Sequence, residues 1–313
     1  MLNEIIDDRY VIKDKVGGGG FSDVFCVFDN ISKKYLAAKI LKYEFKSTND
    51  RKFLQFKQEA GTLASLNSRN IVRIYDYGIY KGHPYIIMEY YRGDSLKKIV
   101  SDHGPLLIEE FHSYITKVLE AIEECHKKQI IHRDIKADNI TVTSDGTIVL
   151  LDFGVSFLSD ETKNLYDMDE SIACTLSHAA PELLKGNPSG NVQTDIYALG
   201  ITMFELLTGR VPFDSNKKEK NERVVEIYKM HRSTPIPSMK QYNPHVTDDF
   251  DNIVAKCCAK KPKARYENVR QIMADIEIAY DNYLKNKSGS VAKKKSGFFA
   301  RIFRKKKNIW EAL

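Results

Sequence analysis

The stretch that most constrains this chain is residues 130–154, IIHRDIKADNITVTSDGTIVLLDFG. Ile130 and Ile131 run into a polar loop. Two β-prone runs, residues 140–143 and 147–151, then flank Ser144, Asp145 and Gly146, residue types that favour a tight turn. The spacing predicts a hairpin that brings Asp134 and Asn139 close to Asp152. Two carboxylates, an amide and the lysine at 136 at short range suit a magnesium-phosphate site, because hard cations take oxygen ligands and phosphoryl oxygens need positive charge around them. Polar loop residues are usually just solvated, but here two apolar strands pin the loop.

At these residues a family resemblance emerges. His132-Arg133-Asp134-Ile135-Lys136-Ala137-Asp138-Asn139 resembles the catalytic loop of protein kinases, and Asp152-Phe153-Gly154 resembles their magnesium-binding triplet. The resemblance runs from about residue 9 to residue 284 and is greatest to the eukaryotic-like Ser/Thr kinases of bacteria. It implies an α+β, bilobal protein kinase fold, with a small β-rich N-lobe containing one key helix and a larger, mostly helical C-lobe. The implied reaction moves the γ-phosphoryl of ATP, with Mg2+ (or Mn2+), to serine or threonine hydroxyls of protein substrates. Asp134 would accept the proton of the substrate hydroxyl, Lys136 would neutralise the transferring phosphoryl group, and Asn139 and Asp152 would hold the metal.

Earlier in the chain, residues 9–16 alternate as a half-buried strand does and lead into Gly17-Gly18-Gly19-Gly20. Glycines between two strands let backbone amides approach a phosphate without a Cβ in the way. By resemblance, Val16, Gly17, Gly18, Gly19, Gly20, Phe21, Ser22, Asp23 and Val24 cover the nucleotide, with Ser22 where the family's third glycine usually stands. Residues 35–41 form an apolar strand interrupted by Lys39, and a buried lysine is costly unless paired. The family assigns it to the α- and β-phosphates, beside Ala37, with Glu59 as its partner. Glu59 belongs to a helix read from the spacing of Phe53, Phe56, Ala60, Leu63 and Leu66. Residues 71–77 and 84–89 read as strands ending in a hinge. There Met88 would back the adenine pocket, the backbone of Glu89 and Tyr91 would bond the base, and Thr141 would form its floor where the family is aliphatic. Phe111, Tyr114, Ile115, Val118, Leu119 and Ile122 recur at the helix period.

Beyond Gly154 comes a segment without clear periodicity that closes on Ala180-Pro181-Glu182, as a kinase activation segment does. In the family that the chain resembles, an Arg in the place of Arg133 often receives a phosphate from this segment, which makes Thr162, Ser171 and Thr175 candidate autophosphorylation sites, unless Asp167, Asp169 and Glu170 supply the negative charge permanently. Cys174 and His178 replace the family's usual glycine and tyrosine, which puts the shape of the substrate-docking surface in question; His178 reads as a packing residue. Asp195 opens an apolar core helix and, by resemblance, holds the catalytic loop from beneath, while Arg265 would pair with Glu182.

A chain of 313 residues exceeds a typical single domain. Its division is expected as an extension at 1–9, a kinase domain at 10–284 (N-lobe about 10–90, C-lobe about 92–284), a polar linker at 285–296 and a basic amphipathic tail at 297–313. From Leu284 onward ten Lys or Arg face one acid, Glu311, so this end carries +9 of a total of +6 and the rest carries −3. That argues against a nucleic-acid-binding body and places the basic signal in the tail. Five cysteines without metal-ligand spacing and an acidic N-terminus point to a reducing compartment, the cytoplasm. In the tail, Phe298, Phe299, Ile302, Phe303, Ile309, Trp310 and Leu313 fall within about 140° of a helical wheel, with only Lys306 intruding. An anionic membrane surface leads the readings, which would make the protein peripheral at the inner membrane face; docking in a groove of the kinase or a partner is second, and a solvated end third. A pseudokinase or scaffold is the rival function, and a small-molecule kinase of the same fold the next. The retained lysine and aspartates argue against the first, the Ala-Pro-Glu segment against the second.

Overall fold

A computed structural model describes residues 2–20, 22–45, 51–153, 177–183 and 190–290. Strands β1 (Ile5–Ile6), β2 (Tyr10–Gly18), β3 (Ser22–Asp29), β4 (Lys34–Leu41), β5 (Ile74–Tyr80) and β6 (His83–Glu89) form an antiparallel sheet in the order β1-β2-β3-β4-β6-β5. Alternation along β4 explains how one strand serves two layers. Leu36, Ala38 and Ile40 enter an outer cluster with Tyr10, Ile12, Phe25, Val27 and Ile87. Ala37, Lys39 and Leu41 point the other way, toward the cleft and helix α1 (Arg51–Ala64).

The first residues are more than an extension. Ile6 is fully buried in the outer cluster, and Glu4 and Asp7 accept hydrogen bonds from the hydroxyls of Tyr80 and Tyr85. A two-residue strand carries too little pattern to be read from sequence, yet the residues flanking it, Glu4 and Asp7, satisfy hydroxyls of the sheet.

The expected hairpin is present as β8 (Ile140–Thr143) and β9 (Ile148–Leu150). A third strand, β7 (Gly93–Ser95), pairs with β8 and joins the hinge to this second sheet. It depends on Gly93, because a Cβ there would lie 2.2 Å from the Val142 carbonyl oxygen. The strand expected at 71–77 begins at Ile74; Ile71 forms only an isolated parallel bridge to Leu150.

Helices α2 (Leu96–His103), α3 (Ile108–Lys127), α4 (Val192–Thr208), α5 (Lys220–Ser233), α6 (Asp248–Cys257) and α7 (Val269–Ser290) build the second lobe. Every residue of α4 from Thr194 to Thr208 is buried, so α4 is the axis of the lobe. Asn191 caps its start and Gly209, at φ 78°, ends it in the left-handed conformation. Helix α7 continues past residue 284 to Ser290, so residues 285–290 of the expected linker are helical. The reason is a tertiary contact: Tyr283 and Lys287, one turn apart, both reach Glu109 on α3. Residues 291–313, including the expected tail, lie outside the described residues.

Candidate active site

The loop before β8 is shaped by hydrogen bonds to its own backbone. Asp195, fully buried at the start of α4, accepts from the amides of His132 and Arg133, each at 2.8 Å, and His126 Nε2 lies 2.8 Å from its Oδ2. The role expected for Asp195 is thus present in the geometry. Arg133 is held at φ 67° and Asp152 at φ 55°, conformations that cost about 1–3 kcal/mol each in a non-glycine residue and persist only where surroundings enforce them.

His132 is fully buried, and that burial lowers its pKa, so the ring is neutral. Nε2 faces the Leu151 carbonyl at 3.2 Å and Nδ1 faces the Asp134 amide at 3.3 Å. One tautomer satisfies both, donating from Nε2 and accepting at Nδ1. The ring also lies against Phe153, with centroids 4.5 Å apart. The imidazole thereby ties the two halves of the site together.

Asp134 then projects a carboxylate bounded by charge and amide. Lys136 Nζ donates to Oδ1 at 3.0 Å and Oδ2 at 2.8 Å, and Asn139 Nδ2 donates to the Asp134 carbonyl at 2.7 Å and Oδ2 at 2.8 Å. Because Asn139 spends its amide nitrogen on Asp134, its amide oxygen is the atom suited to a cation. Across the cleft Asp152 forms an ion pair with Lys39. Burial opposes charge on Asp152, but Lys39 and, farther off, Lys136 outweigh it and hold the carboxyl below its usual pKa.

One expected contact is absent. Lys39 pairs with Asp152, whereas Glu59 Oε1 lies 3.5 Å from Arg133 Nη1. Helix α1 stands away from β4, and the space behind it is a cavity of about 640 Å3 lined by Lys39, Glu59, Met88, Arg133, Asp152 and Phe153, among others. Sequence periodicity places Glu59 on the inner face of α1 but says nothing about how far the helix sits from the sheet.

The remaining expected residues frame the cleft. In the glycine turn, a Cβ on Gly18 would lie 2.4 Å from Asp23 Oδ1, so a side chain there would displace the Asp23 carboxylate. Asp23 holds Lys15 at 2.8 Å and Lys42 at 3.6 Å, and Lys42 also donates to the Gly19 carbonyl at 2.7 Å. Gly17 pairs with Val24 across β2 and β3, Val16 is exposed, and Gly20 and Ser22 flank Phe21, which lies outside the described residues. Ala37, Met88, Val24 and Tyr91 belong to one apolar cluster that continues into the second lobe. Glu89 donates its amide to the Arg73 carbonyl at 2.9 Å, and its side chain accepts from the Tyr75 hydroxyl. Thr141 is buried on β8 between Ser95 and Val149. Thr162, Ser171, Thr175 and Cys174 lie outside the described residues. Arg265 grips Glu182 with two hydrogen bonds, at 2.6 and 2.9 Å, as expected.

His126 escaped the sequence reading. The available signal was its position four residues after Ile122, on the buried stripe of α3, where a polar residue demands a partner.

The protein kinase domain family model matches residues 10–275. The Ser/Thr-protein kinase PrkC of Bacillus subtilis is 37% identical over 282 residues, 90% of this chain and 42% of its own length. The probable Ser/Thr-protein kinase PknB of Lactococcus lactis is 35% identical over 276 residues, 88% of this chain and 42% of its own. The chain therefore spans about two fifths of the length of these curated relatives. A crystal structure of Rad53 in complex with AMP-PNP superposes with TM-score 0.66 at 23% identity, covering 85% of this chain and 64% of that one.

Proposed function

The chain belongs to the protein kinase domain family, and from that premise we propose that it transfers the γ-phosphoryl of Mg-ATP to serine or threonine hydroxyls of proteins. The observation that carries this reading is the Asp134 carboxylate held by Lys136 and Asn139, facing the Lys39–Asp152 pair across one cleft. The names of the relatives support the Ser/Thr acceptor, and the AMP-PNP complex of Rad53, which shares the fold, supports a nucleotide ligand.

The donor set fits magnesium. Asn139 and Asp152 offer oxygens only, and the described residues contain no group of three His, Cys, Asp or Glu that would suit a metal taking all its ligands from protein. Mg2+ characteristically binds one or two protein oxygens and completes its shell with phosphate and water. When bound, the ion neutralises charge on the phosphate oxygens.

The chain's own residues supply the rest. Asp134 orients the acceptor hydroxyl and takes its proton as the new bond forms. Lys136, already on the Asp134 carboxylate, places positive charge beside the transferring group, where an oriented cation is worth more than one in water. Lys39 leaves Asp152 for the α- and β-phosphates, which frees Asp152 as an oxygen donor. Glu59 must then come to Lys39, and Arg133 now holds it. We infer that the segment from 154 to 182 regulates this step, because a phosphate on it would compete with Glu59 for Arg133. The amphipathic pattern of residues 297–313 supports a second contact, with an anionic membrane surface.

The test is incubation with γ-labelled ATP, Mg2+ and dephosphorylated casein. Label on serine or threonine that disappears with EDTA is expected. Nucleotide binding without any labelled acceptor would favour a scaffold instead.

A further inference from the structure

The second lobe also carries a groove of about 350 Å3, with Val211, Pro212, Met230, Pro235, Pro237 and Tyr242 among its lining residues. Val211 and Pro212 follow the end of α4, Met230 belongs to α5, and the other three lie between α5 and α6. Tyr242 stays 39% exposed, its ring beside Phe204 and the Arg210 guanidinium 5.0 Å from its centre. Both walls are tied to the last turns of α7. On one side, Tyr283 and Lys287 reach Glu109 in the first turn of α3; three residues before it, the Leu106 amide donates to the Leu206 carbonyl at 2.9 Å, just ahead of Gly209, where α4 ends. On the other, Asn282 donates to Asp249 of α6 at 3.0 Å, and Asp251 accepts the Met239 amide at 2.7 Å, three residues before Tyr242. Helix α7 therefore ends, at Ser290, on the side of the lobe that holds the groove.

We infer that this groove seats the chain's own residues 297–313, with Trp310 as the anchor. Residues 291–296 reach about 20 Å when extended, so the stretch starts within range of the groove. Its apolar stripe, which includes Ile309, Trp310 and Leu313, suits docking of an apolar face in a groove, and a large aromatic side chain in a pocket carries much of the energy of such a contact. Charge agrees with the seat. The first turn of α6 brings Asp248, Asp249 and Asp251 to the groove's approach, opposite Arg301, Arg304, Lys305, Lys306 and Lys307 of the incoming stretch. Asp248, which holds Lys240 at 2.6 Å, is still 78% exposed. Glu311, the one acid of the stretch, adjoins Trp310, as Arg210 adjoins Tyr242. Tethering decides the occupant. A short linker holds its segment at an effective concentration on the order of 1 mM, so a contact with a Kd of about 0.1 mM would be about 90% filled. The same contact offered by a second copy at about 10 μM would be only about 10% filled. The seat needs no phosphotransfer chemistry, and the anionic surface proposed above would compete with it for the same apolar side chains.

Trp310 is the single tryptophan of the sequence, so its fluorescence reports on this contact alone. The full chain is compared as wild type, Tyr242→Ala, Pro235→Lys and Ile31→Ala, with acrylamide as quencher and circular dichroism to check that each variant is folded. Pro235 is exposed, so a lysine there blocks the groove and repels the basic stretch without disturbing the core; Ile31, 72% exposed on the first lobe, is the control. Both groove variants are expected to raise the quenching constant about threefold over wild type, and Ile31→Ala to leave it unchanged. The wild-type constant is expected to hold over about a 50-fold range of protein concentration. Quenching as strong in the wild type as in the denatured chain would overturn the inference, as would protection that survives both groove substitutions. Protection that grows with concentration would assign the groove to a second copy and overturn it as well. None of these readouts involves phosphotransfer, so failure here and failure of the kinase reading remain distinguishable.

Discussion

Asp134 owes its position to groups that never meet a substrate: Asp195 holds the amides before it, and the neutral His132 ring accepts from its own amide. A neutral buried imidazole also creates an acid liability, and His231 shows it more strongly. Its Nδ1 lies 2.9 Å from the Tyr197 hydroxyl, and burial first, with help from Lys260 and His178, pushes its pKa from 6.5 down to about 3. The folded ring therefore stays neutral while the unfolded chain binds a proton below about pH 6.5. Stability must fall as the pH drops from there toward 3, by up to about 1.4 kcal/mol per pH unit from this ring. Denaturant unfolding at pH 7 and pH 5 should show the wild type losing about 2 kcal/mol more than His231→Phe. Equal losses would contradict a buried neutral ring.

At the scale of elements, the proposed function asks for a movement of α1. Glu59 lies on Arg133 and Lys39 on Asp152, with a cavity between them, so the proposed reaction requires α1 to move before Glu59 can reach Lys39. A nucleotide that draws Lys39 away favours the other arrangement, and its differential contacts set how far the population shifts. Hydrogen exchange over residues 51–64 should slow when AMP-PNP and Mg2+ are added, and Glu59→Gln should remove that slowing. Unchanged exchange in the wild type would contradict a swinging helix. The elements that sequence made legible are those with long periodic patterns, such as α3 and β4, or with turn chemistry, as in the β8–β9 hairpin. Strands β1 and β7 were not legible, because two or three residues carry no period; they exist through pairing with distant strands. The Lys39–Glu59 pair that the resemblance implied is not formed, because the placement of α1 depends on packing that no local pattern encodes.

Across the whole molecule, two lobes share one apolar cluster running from Ala37 and Met88 to the core of the second lobe. The α+β fold and the convergence of Asp134, Lys136 and Asn139 were readable because a short loop before a hairpin leaves those side chains little room to part. The end of α7 was not readable, since its last turns are held by Glu109 on a different helix. No described helix is long and apolar enough to cross a membrane. If residues 297–313 seat on an anionic surface, co-sedimentation with phosphatidylserine vesicles should be lost on their deletion and weakened by salt. Binding that survives deletion would assign the contact elsewhere.

The measurement that bears most directly on the account compares wild type with Asp134→Asn, following transfer from γ-labelled ATP to casein alongside ATP affinity. The account predicts label on serine or threonine for the wild type, and for the variant a rate about 100-fold lower or less with ATP affinity within about twofold. An Asp134→Asn protein that transfers phosphate at the wild-type rate would contradict it.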